Sequence, residues 1–213
     1  MNLNILKNKQ QKLFYTLIEY TRRIFQHTRI MQEEPNPIKD YLFDYLSRSD
    51  EKIQKLISNE KFSEIIEDVI ANCYDKIITL GEKDESVGVL ATGLLHFLLT
   101  NALLNSQRKI EYEGIEIDIV IPDLKTLEKD PKKPLIICIP KTSNKEEIEK
   151  KLTELYKIQP EKQNVWLVLS QKLDFENRSY VIEKDNQTFS KIIFDIAQFV
   201  NVGGQSKFKI LRI

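Results

Sequence analysis

The hydrophobic period of this chain first changes near Lys109, and that change limits what the chain can fold into. Before it, apolar residues recur every three or four positions; just after it, over residues 110–121, every second position. Leu13, Phe14, Leu17, Ile18, Ile24 and Phe25 predict a first helix ending near Pro35. Asn36-Pro37 starts a second, with proline at the first helical position, where its missing N–H costs nothing. The apolar face of that helix is Ile38, Tyr41, Leu42, Tyr45 and Leu46. Ser49, followed by Asp50 and Glu51, is placed to cap a short helix carrying Ile53, Leu56 and Ile57. A longer helix is predicted from Phe62 to Leu80, with the stripe Ile65, Ile66, Val69, Ile70, Cys73, Ile77 and Ile78, and Gly81 as its stop.

The run from Val87 to Leu104 is different. Its 18 residues carry no charge, which just reaches the length of a membrane span. It also holds Thr92, His96, Thr100 and Asn101, and charged amphipathic helices surround it. An all-round apolar helix needs cover on every side. The expectation is a buried central helix, with the sheet of the second half on one side and the earlier helices on the other. No membrane association is expected.

Beyond Lys109, Ile110 and Tyr112 alternate with acids. After Gly114, Ile115, Ile117, Ile119 and Ile121 alternate with Glu116, Asp118 and Val120, so the two runs predict a β-hairpin ended by Pro122. A polar connector spans Asp123 to Lys133. Leu135–Ile139 reads as a central strand, apolar throughout because both faces are covered. Ser143-Asn144-Lys145-Glu146 fits a capping box, and the helix behind it presents Ile148, Leu152, Leu155 and Tyr156. Asn164–Leu169 is a second buried strand, which completes a βαβ unit with a parallel pair. A weak strand at Ser179–Ile182 follows, then a helix with Phe189, Ile192, Ile193, Ile196 and Val200. Gly203-Gly204 breaks the chain before a terminal strand at Lys207–Ile213. The expected fold class is therefore α/β: a helical region over residues 1–82, then residues 83–213 with a mixed sheet flanked by helices.

Composition narrows the function. Lysine plus arginine and aspartate plus glutamate both number 32, giving zero net charge. Each half of the chain is close to neutral as well, which excludes a globally basic nucleic-acid binder and leaves only local patches. Only six glycines occur, under half the usual share of about 7%. None is free for a phosphate-cradling loop. The two cysteines, Cys73 and Cys138, sit in apolar runs without metal-type spacing and read as buried thiols. Met1–Lys12 is polar and lysine-rich, without the apolar core of a signal peptide, so a cytoplasmic location is expected.

Chemistry concentrates between Gly114 and Lys141. A helix, a hairpin with an internal aspartate, an apolar strand ending in lysine, a helix and a strand follow in that order. Asp118 stands in Gly-Ile-Glu-Ile-Asp-Ile-Val-Ile, and Lys141 in Ile-Cys-Ile-Pro-Lys-Thr. This order, over about residues 85–170, resembles the PD-(D/E)xK nuclease superfamily, which includes restriction-like endonucleases and archaeal Holliday-junction resolvases. The resemblance implies Asp118 and Lys141 as catalytic residues, and Mg²⁺ held by Asp118 with Glu116 or Asp123. It leaves open whether Asp118 or Asp123 is the motif aspartate. Phosphodiester hydrolysis needs hard cations on converging carboxylates and a nearby lysine to steady charge. The position two before Lys141 is Ile139, where the motif carries an acid, so the implied site is degenerate. Lys207, Lys209 and Arg212 on the terminal strand are the candidate nucleic-acid contacts.

Two readings follow. The first is a nucleic-acid-associated protein of nuclease-like fold with an inactive site, serving as a non-catalytic subunit of a DNA or RNA repair or processing complex. Were it active, it would be a Mg²⁺-dependent endonuclease. The second is a scaffold that docks a protein partner, or a second copy as a homo-dimer, through its helical half.

Overall fold

Residues 36–202 are described by the structure, a computed structural model. The predicted first helix, the Gly203-Gly204 break and the terminal strand with Lys207, Lys209 and Arg212 lie outside them. Four helices come first: α1 (Pro37–Arg48), α2 (Asp50–Ser58), α3 (Phe62–Ile77) and α4 (Lys83–Asn101). The predicted stripes are the buried ones. Ile38, Leu42 and Leu46 turn inward on α1, Ile53 and Ile57 on α2, and Ile65, Ile66, Val69, Ile70, Cys73 and Ile77 on α3. Ser49 sits at the N-cap of α2 but makes no side-chain cap bond.

The hairpin is β1 (Gln107–Tyr112) and β2 (Ile115–Ile121), paired antiparallel. Its two-residue turn is Glu113-Gly114, with φ of 53° and 76°. Two successive positive φ values mark the turn whose twist matches that of the strands. The connector to β3 is not irregular throughout. It holds a six-residue helix, α5 (Leu124–Lys129), which buries Leu127. Next come β3 (Leu135–Cys138), α6 (Lys145–Ile158), β4 (Val165–Leu169), β5 (Ser179–Val181) and α7 (Ile192–Val202), with single 3-10 turns at Lys162–Asn164 and Phe189–Lys191.

The strands form one sheet in the order β1-β2-β3-β4-β5. β2 pairs antiparallel with β3, β3 parallel with β4, and β4 parallel with β5. The βαβ unit β3-α6-β4 is thus present. The β4-to-β5 connection, residues 170–178, has no helix; Leu173 and Phe175 pack against the sheet there instead.

Two apolar cores cover the two faces of the sheet, and the strands show the period of two directly. Leu135, Ile137, Ile139, Trp166 and Val168 face a core built with α1–α4 and α7. Ile136, Cys138, Val165, Leu167 and Leu169 face a second core built with α5 and α6. This double cover is why β3 and β4 read as unbroken apolar runs. The uncharged run became α4, with Leu90, Leu94, Leu95 and Leu98 fully buried between α1, α3 and the sheet. Among the described residues no helix is long and apolar enough to cross a membrane.

Candidate functional site

Asp118 lies in the middle of β2. Val120, two residues on, belongs to the core on the α6 side, and Asp118 turns the same way. Its Oδ2 accepts two hydrogen bonds. One comes from the backbone N–H of Ile139, at 2.9 Å, just past the end of β3. The other comes from Nζ of Lys151 on α6, at 2.8 Å. The pair is largely covered: the Lys151 side chain is 30% exposed and the Asp118 side chain 25%. The carboxylate therefore ties three elements together. It satisfies a strand-end N–H that would otherwise be left bare, and it neutralises a lysine drawn in from the helix.

Lys151 was the partner hidden in the sequence, where Lys150-Lys151 reads as a solvated pair. It stands three residues after Ile148 and one before Leu152, so it shares the inward stripe of α6. Lys150 is exposed. Burial works against the Lys151 ammonium, but neighbouring negative charge outweighs it and raises its pKa above the ordinary value. The Cys138 thiol adds to that charge only where it is ionised, whereas Asp118 and Glu116 supply it at neutral pH. Cys138 is itself fully buried, and burial pushes its thiol up to about 12. At neutral pH it is uncharged, so the carboxylates hold Lys151 protonated. Such a lysine can neutralise an anion but cannot act as a base.

Lys141 is elsewhere. It follows Ile139, which faces the α1–α4 core, and its stem passes over α4. A methyl group placed on Gly88 would lie 3.5 Å from Lys141 Cγ and 3.8 Å from the Pro140 carbonyl oxygen. Asp118 is gripped from the α6 side, and its hydrogen-bond partners are Ile139 N–H and Lys151, while the Lys141 stem lies beside Gly88 of α4. Glu116 is exposed on β2, near enough to Lys151 to act on its charge. Asp123 is the N-cap of α5: its Oδ1 accepts from the backbone N–H and from the hydroxyl of Thr126, both at 2.8 Å. Among the described residues no group of three His, Cys, Asp or Glu side chains converges as a metal ion requires.

The strand ends beside Lys141 carry a second polar knot. Asp84, in the first turn of α4, accepts from the Ser170 hydroxyl at 2.5 Å, at the end of β4. Ser143 also hydrogen-bonds Asp84. Burial opposes the charge on Asp84, but the bonds from Ser170 and Ser143 and the nearby Lys83 hold its carboxyl below the ordinary range. The capping role that the Ser-x-x-Glu pattern predicts for Ser143 falls to the next residue. The N-cap of α6 is Asn144, whose Oδ1 accepts from the N–H groups of Glu146 and Glu147.

No family model matches this chain, and no curated protein or solved structure matches it. The site's carboxylate is already saturated by a cation and an amide on the oxygen that faces the protein. Its lysine is charged, covered and paired.

Proposed function

We propose that the chain is a nucleic-acid-associated protein of nuclease-like fold that binds rather than cleaves, as a non-catalytic subunit of a DNA or RNA repair or processing complex. The observation that carries the reading is the state of Asp118. An internal ammonium, Lys151, stands where a catalytic carboxylate of this kind would need a metal ion, and Ile139 supplies an amide where a second carboxylate would be needed. The nuclease-like part of the reading is supported by element order and pairing. Helix α4, hairpin β1-β2, strand β3, helix α6 and strand β4 follow one another, with antiparallel, antiparallel and parallel neighbours. If a cleaving form existed, Mg²⁺ would be its cofactor and Lys151 would have to leave the carboxylate first. The test is a Mg²⁺-dependent cleavage assay on DNA and RNA with wild type and Asp118→Ala. The expected result is no cleavage by either; cleavage by wild type that Asp118→Ala abolishes would overturn the non-catalytic reading.

The second reading, a scaffold docking through its helical half, is favoured by one observation. Leu103, just beyond the end of α4, is a large apolar side chain left 59% exposed. A protein that stays monomeric during gel filtration with light scattering, and that holds no partner on purification, would count against this reading.

A further inference from the structure

We draw no further inference here: the strongest candidate, the open groove that Glu67 of α3 shares with Glu183, Asp185 and Gln187 beyond β5, is an acidic cluster whose lysine, Lys184, is already paired with Asp75, and nothing in it points to a ligand.

Discussion

At the scale of single residues, Asp118 shows how one carboxylate can serve a fold. A backbone N–H at a strand end needs an acceptor, and a lysine on the inward face of a helix needs an anion. Asp118 answers both with one oxygen. Hydrogen bonds to a charged group contribute about 1.5–3 kcal/mol each where they are shielded. Asp118→Ala is therefore expected to lower stability by about 2 kcal/mol in urea unfolding, because Ile139 N–H and Lys151 lose their partner together. A double-mutant cycle with Lys151→Met should give a favourable coupling of about 1 kcal/mol; a coupling of zero would mean the pair is only incidental contact.

The pH dependence has a definite sign. The pKa of Lys151 is raised in the folded state, so its contribution is complete below the ordinary lysine value and fades as pH climbs through the folded one. Wild type should lose more stability than Lys151→Met between neutral and strongly alkaline pH. Asp84 behaves in the opposite sense. Its pKa is lowered, so its contribution is complete above the ordinary carboxylate value and is lost as pH falls through the folded one. Ser170→Ala should reduce that acid-side loss, read from denaturation midpoints across the acid range.

At the scale of elements, the segments with a long apolar stripe were legible in the sequence and the short ones were not. α3 has seven inward positions over sixteen residues, which no other conformation would gather on one face. α5 has a single buried leucine in six residues, too few to show a period. Only the Asp123–Thr126 cap could have revealed it. The cap of α6 slid by one residue for a related reason. Ser143 with Glu146 and Asn144 with Glu147 fit the same pattern, and it is the Asn144 side chain that accepts the first N–H groups of the helix. Asn144→Ala should therefore cost about 1 kcal/mol.

The alternation of the hairpin also breaks once. Lys109, opposite Asp118 in the register, has φ of 50°. Near this kink Ile117 joins the α6-side core while Ile119 faces the helices. A kinked, charged outer strand is a poor template for a further strand, so β1 protects its own edge. The turn is strained in a simpler way. Glu113 holds a left-handed φ of 53° beside Gly114, and a residue other than Gly, Asn or Asp pays about 1–2 kcal/mol there. Glu113→Asn should raise stability by up to about 1 kcal/mol in thermal unfolding. Gly114→Ala should lower it despite open space around the site.

At the scale of the whole molecule, the uncharged run from Val87 to Leu104 organises everything else. A helix with no polar face must be enclosed, and α4 is enclosed by α1, α3 and the sheet. The order of helices, hairpin and βαβ unit was readable because each element needed the next to cover it. The candidate site was readable only in part. Asp118 could be located on its strand, but the lysine that reaches it is set by how α6 crosses β2 and β3, a long-range fact that no local pattern carries. Asp123 also caps a helix, through a Thr126 bond that only the short α5 makes visible.

The proposed binding without cleavage is tested by titrating the full chain onto end-labelled DNA and RNA with Mg²⁺ present. Complex formation and strand length are read from the same samples as salt is raised. The expected result is binding at low salt that weakens steadily as salt displaces phosphate contacts, with strand length unchanged throughout. Absence of binding at low salt, or strand shortening that requires Mg²⁺ and Asp118, would contradict it.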